Sequence, residues 1–361
     1  MKKLYCCVTN DLNFDQRMMR ICNSLQSNGY EVSLIGRKNK NSLTPTSKNY
    51  HQHQIPVFFE KGKLMYIEYN LKLFFYLLFQ KIDIIIAIDL DTIVPSYYIS
   101  KLKNIPRVYD AHELFSELKE VVTRPTIKKI WLSVEKYFVP RFPKGYTVSE
   151  SIVEEFYKRY GVKYQCIRNM SIIQSPLGKS DKEGDFLLYQ GAVNEGRGLE
   201  WLIPAMKFVD MPLVICGDGN FMDQAKSLVK YHGVEEKITF KGKISPNELW
   251  EITKKAFAGI NLVEPVGLNQ LYSLANKFFD YIHAHIPQLT MQFPEYERIN
   301  NEFEVALLIK SLQTNEIAEN LNLLMQNKVL YNRLCQNCKE ASLHYNWQSE
   351  EIKLLDFYLN I

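Results

Sequence analysis

Apolar runs and amphipathic stretches alternate along the chain. Near-continuous apolar runs fall at 4–8 (LYCCV), 31–36 (EVSLIG), 82–88 (IDIIIAI), 107–111 (RVYDA), 146–149 (YTVS) and 165–169 (QCIRN). Helix-period stretches such as 15–28 and 150–160 lie between them. Runs apolar on both faces are the mark of parallel strands covered by helices. The scheme repeats at 186–191, 213–217, 238–242, 259–263 and 305–309, separated by helical stretches at 198–208, 220–232, 245–255 and 273–285. The pattern predicts an α/β protein of two doubly wound, Rossmann-like parallel-sheet domains. Residues 171–184 are polar and aperiodic, and read as a linker. They divide an N-terminal domain over 1–170 from a C-terminal one over 185–335, and 336–361 reads as helix crossing back to the first domain.

Two stretches raise the question of membranes. LKLFFYLLF (71–79) is far too short to span a bilayer and runs directly into a strand, so a covered helix is expected. The stretch 124–144 carries six Lys/Arg against one Glu, interleaved with Trp131, Tyr137, Phe138 and Phe142. It reads first as a helix with buried aromatics and solvated lysines, and second as a patch resting on anionic lipid.

Composition narrows the class. At 361 residues, with 46% hydrophobic and 23% charged residues, the chain suits two folded domains rather than disorder. MKK passes at once into LYCCV with no signal peptide, and the seven cysteines lack framework spacing, so a reducing cytoplasm is expected. Cys335 and Cys338 form a CxxC without a second pair, and read as helix residues rather than a metal site. The net charge of +4 is uneven: residues 1–165 carry 25 Lys/Arg against 16 Asp/Glu, and 166–361 carry 19 against 24. A basic first half predicts an anionic surface or partner. Its basic residues are scattered and no nucleic-acid motif is present, so the expected partner is not nucleic acid but, peripherally, an anionic membrane.

Candidate chemistry lies beyond the carboxyl ends of the strands, where doubly wound domains bind ligands. The run at 186–191 opens into GAVNEGRGLEW, where Gly191, Gly196 and Gly198 allow close backbone approach and Arg197 precedes a helix. Free N–H groups and an Arg at a helix start suit a phosphate, although a plain glycine turn with a solvated Arg fits the same residues. LVICGDGN gives a second such turn, with Gly217 and Gly219. In SLANKFFDYIHAH (273–285), Ser273 is the expected cap, and Ala275, Phe278, Phe279 and Ile282 the buried face. Asn276, Asp280 and His283 stack on the other side, with Lys277 in the first turn. A lysine there opposes the helix dipole unless an anion sits in front of it.

In order along the chain, these segments resemble family 4 glycosyltransferases of the GT-B fold. The resemblance rests on FDQRMMRICNSLQSNGYEVSLIG, YDAHELFSE, YTVSESIVEEFYKRYGV, YQGAVNEGRGLEWLIPA, LVICGDGN, FKGKIS and SLANKFFDYIHAHIP. It implies a nucleotide-sugar donor in the C-terminal domain, an acceptor against the N-terminal one, reaction in the cleft between them, no metal, no other cofactor and retention of anomeric configuration. Arg197 and Lys277 would stabilise the leaving diphosphate. Asp280 would hold the ribose, with Asn276 beside it, Gly191, Gly217 and Gly219 would admit the donor, and Lys243 and Ile244 would border the base. His112 would contact sugar or acceptor, unless it is a structural histidine, with Asp15, Arg17 and Glu113 on the acceptor side. Several positions depart from the family pattern. Tyr272 stands where a first acid is usual, with Glu264 as an off-register substitute, Ala192 where an Arg is common, and Ala275 and His285 where Pro and Gly are usual.

The expected function is therefore a hexosyltransferase acting on a saccharide or lipid-linked acceptor in surface glycan biosynthesis, at the inner face of the cell membrane. A sugar-nucleotide epimerase of similar architecture and a non-catalytic nucleotide-sugar-binding protein are the rival readings.

Overall fold

The computed structural model describes residues 1–10, 12–13, 15–40, 42, 45–173 and 184–361, so most of the expected linker lies outside the described residues. Two compact units are present. One comprises Met1–Asn169, Gly267–Asn269 and Glu350–Ile361, the other Met170–Val266 and Gln270–Ser349.

The first unit begins β1 (Lys2–Cys7), α1 (Gln16–Ser27), β2 (Tyr30–Lys38), β3 (His51–Pro56), α2 (Gly62–Leu78), β4 (Ile84–Ile88) and α3 (Ile93–Lys103). It continues β5 (Arg107–Ala111), α4 (Lys119–Val122), α5 (Pro125–Phe138), β6 (Lys144–Thr147), α6 (Glu150–Tyr160) and β7 (Gln165–Cys166). Its seven strands are parallel, in the order β3-β2-β1-β4-β5-β6-β7. The chain then runs β8 (Leu187–Gln190), α7 (Leu199–Ala205), β9 (Leu213–Cys216), α8 (Met222–His232), β10 (Ile238–Gly242), α9 (Pro246–Thr253) and β11 (Ala258–Asn261). It ends α10 (Leu268–Leu271), α11 (Asn276–His283), β12 (Gln288–Met291), α12 (Pro294–Phe303), β13 (Ala306–Ile309), α13 (Thr314–Gln326), α14 (Lys328–His344) and α15 (Trp347–Leu359). The second sheet has six parallel strands, ordered β10-β9-β8-β11-β12-β13. In each sheet the strand order reverses once, between β1 and β4 and between β8 and β11, and such reversals open a crevice at the carboxyl ends.

The cores follow from the pattern. Ile84–Ile88 of β4 are all buried, as a central parallel strand requires. The stripe of EEIKLLDFYL buries Leu354, Phe357 and Tyr358. Within the first unit the Tyr30 hydroxyl donates to the Tyr358 carbonyl at 3.2 Å, and the Tyr146 and Tyr358 hydroxyls lie 3.2 Å apart.

One expectation for this unit is overturned. The stretch 71–79 is not a covered helix: α2 buries only Met65, Tyr69, Leu73 and Leu77, and Leu71, Phe75 and Phe79 face outward. A fourfold spacing occupies one side of a helix, so a sequence apolar all round leaves the other side exposed. In 124–144, by contrast, Phe138 and Phe142 are buried and Trp131 packs on Phe115 and Tyr66. Tyr137 is the exposed aromatic there, and Arg141 lies over its ring.

Candidate functional site

In the second unit the two glycine turns are built on each other. Gly191 follows β8 with φ 112° and donates its N–H to the Cys216 carbonyl, while Val193 donates to the Asp218 carbonyl. A Cβ on Gly217 would stand 1.8 Å from the Gly191 oxygen, and one on Gly219 would stand 2.3 Å from the Val193 oxygen. No other residue fits there, because real side chains do not approach so closely. The Gly217 N–H donates to the Gly242 carbonyl, which ties in the loop carrying Lys243 and Ile244. Lys243 is exposed, while Ile244 packs on a small cluster with Cys216 and Tyr281. Gly198, at φ 82°, caps α7 and presents Arg197 immediately before it.

Helix α11 is anchored on this sheet by Phe278, Phe279, Tyr281 and Ile282. The Tyr281 ring lies where a Cβ on Gly259 would be, and its hydroxyl donates to the Leu188 and Ile260 carbonyls at 3.1 and 3.3 Å. That seat fixes the start of the helix beside the Gly191 turn. The helix begins at Asn276 with Ala275 as its cap residue, and Ser273 instead donates to the Gln270 carbonyl. His283 also departs from expectation: it is buried, with Nε2 2.8 Å from the Tyr345 carbonyl oxygen. An amphipathic face wider than the pattern suggests places it inside. His285 holds the left-handed backbone, φ 56°, that glycine would adopt more easily.

Lys277 is the notable group. Its Nζ sits 4.0 Å from the centroid of the Tyr189 ring, and its Cε would be 3.5 Å from a Cβ on Gly191. Burial first, and then the charge of Arg197, push its pKa down to about 7, against a smaller pull from Asp280. Among the described residues no carboxylate lies within ion-pair distance of the Lys277 ammonium or the Arg197 guanidinium. Two cations placed together beside a pair of open backbone turns form an anion site. Asp280, one turn deeper, accepts from Ser171 Oγ at 2.7 Å and Gln190 Nε2 at 2.9 Å. Its carboxylate is therefore oriented from behind. Asn276 is exposed at the helix start. The Glu264 N–H donates to the Gly196 carbonyl at 2.9 Å, so this acid borders the first turn.

In the first unit the candidate residues separate into two groups. Asp15 and Arg17 serve the fold. Asp15 caps α1, accepting from the Met18 N–H at 3.0 Å, and is also held by Asn10. Arg17, only 3% exposed, pairs with Asp110 Oδ1 at 3.0 Å and donates to the Ile167 carbonyl. The Asp110 carboxylate, fully buried at the end of β5, demands such a cation. Arg17 is therefore not placed as a surface contact for an acceptor.

His112 and Glu113 belong to a carboxylate cluster that the sequence analysis did not single out. His112 Nε2 donates to Asp110 Oδ2 at 3.1 Å, Nδ1 lies 3.7 Å from Asp89 Oδ2, and its backbone N–H donates to Asp89 Oδ1. Burial alone would lower the imidazolium pKa, but Asp110 and Asp89 outweigh it and hold it at about 9. At neutral pH His112 is thus a cation bonded through Nε2 to Asp110, with Nδ1 facing Asp89, whose own pKa burial raises well above the usual carboxylate range. Asp89 closes β4 with φ 55°, a strained backbone for a non-glycine residue of the kind that gathers at functional sites. Burial lifts the pKa of Asp91 to about 6, although Thr9 donates to it. Asp89, Asp91 and Glu113 line a cavity of 430 Å³ at the β1/β4 reversal, whose other wall includes Tyr66, Phe115 and Trp131. The signal was AIDLDT (87–92), two acids straddling a strand end.

Both units thus carry a built site at the sheet's reversal point. Residues 16–169 match the family model described as Glycosyltransferase Family 4, and 173–342 match that of Glycosyl transferases group 1. The chain belongs to the family 4, group 1 glycosyltransferases, with the GT-B fold. No curated protein sequence matches it. A sucrose-phosphate synthase from Thermosynechococcus elongatus is 13% identical with a TM-score of 0.81, over 100% of this chain and 99% of its own. Anabaena HepE, in complex with UDP and glucose, is 11% identical with a TM-score of 0.79, over 100% of both chains. WaaG, a glycosyltransferase involved in lipopolysaccharide biosynthesis, is 16% identical with a TM-score of 0.75, over 98% of both.

Proposed function

We propose that this glycosyltransferase moves a hexose from a nucleoside-diphosphate sugar to a saccharide or lipid-linked acceptor, with retention and without a metal. One observation carries the reading: Lys277 lies against the Gly191 turn within reach of the charge of Arg197, with no carboxylate in ion-pair contact with either among the described residues. When the sugar–phosphate bond breaks, negative charge grows on the leaving diphosphate, and two preorganised cations stabilise it where a divalent metal otherwise would. Asp280 accepts hydrogen bonds from the ribose, and Asn276 donates at the exposed helix start. Lys243 and Ile244 border the base. UDP is the first nucleotide to try, since HepE is seen with UDP and glucose.

The cavity at the β1/β4 reversal suits the acceptor. Aromatic rings stack on the apolar face of a sugar and carboxylates accept from its hydroxyls, so its lining favours an uncharged saccharide ring. His112, a cation, orients Asp89 and Asp110 rather than taking a proton. Kinship of fold with WaaG supports a role in surface glycan assembly, where a lipid-linked acceptor would bring the enzyme to a cytoplasmic membrane surface. The test is calorimetric titration with UDP, GDP, CDP and ADP, with and without Mg²⁺, on the wild type and Lys277→Ala. Binding of one nucleotide, indifferent to Mg²⁺ and weakened by the substitution, supports the site. Absence of binding by all four overturns it.

A further inference from the structure

Helix α2 carries an apolar face that no described segment covers. Leu64, Ile67, Leu71, Phe75 and Phe79, on α2 and its C-terminal cap, recur at spacings of three and four, and all are between 55% and 81% exposed. At 100° per residue they form one stripe, roughly 120° wide and about 22 Å long. Scattered surface leucines need no explanation, but a continuous row of this kind marks an interaction surface. Tyr98 and Leu102 are also exposed on α3, which packs beside α2. The loop entering the helix is ordered: the Phe58 and Phe59 N–H groups donate to Glu68, leaving Phe58 79% exposed.

Charge selects the occupant. Lys61, Lys63, Lys72 and Lys81 flank the stripe and Lys101 stands on α3, whereas Glu68 is the one acid between 61 and 81. Glu68 is already engaged by Lys72 and the two amides. A second copy meeting this face across a twofold axis would set lysines against lysines. An anionic bilayer takes the rings into its acyl boundary and pairs the lysines with its headgroups. No helix among the described residues is long and apolar enough to cross a membrane, so the contact is in-plane. We infer that α2 is the surface by which the first unit sits on an anionic lipid membrane. The 124–144 stretch then contributes positive charge, together with the exposed Ile130 and Tyr137.

The inference deepens the lipid-linked acceptor reading but rests on a different surface from the nucleotide site, so the two can fail separately. The test is flotation with vesicles of phosphatidylcholine alone or mixed with phosphatidylglycerol, beside UDP titration and light scattering. We expect binding to the mixed vesicles that weakens with salt, and weak binding to phosphatidylcholine alone. Phe75→Ser/Phe79→Ser should reduce vesicle affinity at least about tenfold, and Lys61→Ser/Lys63→Ser about fivefold or more, with UDP binding and melting temperature unchanged. No binding to mixed vesicles at low salt would overturn the inference. So would vesicle binding unchanged in the Phe variant, or a dimer that the same variant dissolves.

Discussion

If Lys277 meets the diphosphate, nucleotide binding must take up a proton. Its pKa lies near 7 because burial and Arg197 disfavour the charge, against an ordinary 10.5. At pH 8 such a lysine is roughly one-tenth protonated, while a terminal phosphate, titrating near 6, is already ionised. A bound diphosphate supplies the missing anion and restores the pKa, so about 0.9 proton should enter the complex at pH 8 and about 0.5 at pH 7. Calorimetry at pH 8 in buffers of different ionisation enthalpy, such as Tris and HEPES, reads this directly. Apparent affinity should also fall by up to about tenfold per pH unit above 7. In Lys277→Met both effects should vanish and binding should weaken.

The same shift has a consequence for stability. Between pH 7 and 10.5 the unfolded chain holds a proton on Lys277 that the folded chain lacks, so this residue destabilises the fold fully below 7 and progressively less toward 10.5. Lys277→Met should therefore be the more stable protein, most clearly at pH 6. The pKa difference sets an upper bound of about 5 kcal/mol, and partial exposure brings the expected gain nearer 1–2 kcal/mol. Identical heats in the two buffers, together with a less stable Met variant, would refute this account of Lys277.

Other substitutions test the rest. Arg17→Met should cost about 3–5 kcal/mol in urea denaturation, because it strands the buried Asp110 carboxylate. Asp280→Asn should keep its bond from Ser171 yet weaken nucleotide binding; unchanged affinity would leave Asp280 as a purely structural acid. Gly217→Ala should fail to accumulate in soluble form, since its Cβ would overlap the Gly191 carbonyl. For His112, the raised pKa adds stability below its unfolded value near 6.5, which is lost as pH rises through about 9. Asp89→Asn should pull the His112 titration down by NMR, though by less than loss of Asp110 would, since burial raises the pKa of Asp89 well above the usual carboxylate range.

The fold was legible because buried parallel strands are written as uninterrupted apolar runs. The two strands that the pattern did not mark are β3, HQHQIP, a polar sheet-edge strand, and β12, QLTM, four residues long and following a Pro. The glycine turns and α11 could be read from the sequence, but the reason for Gly217 and Gly219 could not: each faces another stretch of backbone distant in the chain. Asp15 and Arg17 look like surface polar residues, and only three-dimensional contact shows a cap and a partner for Asp110. The outward stripe of α2 was hidden for a related reason. An apolar run such as LKLFFYLLF has no polar face to reveal which side is covered.

The central claim is that the second unit's cation pair serves sugar transfer. The most direct test is NMR observation of wild-type protein with a panel of nucleoside-diphosphate sugars, in EDTA, with saccharide acceptors present. One donor should be consumed, its sugar should appear on an acceptor with unchanged anomeric configuration, and Arg197→Ala and Lys277→Ala should each slow this by roughly 10²–10³-fold. Nucleotide binding without consumption of any donor, or turnover that stops in EDTA, would contradict it.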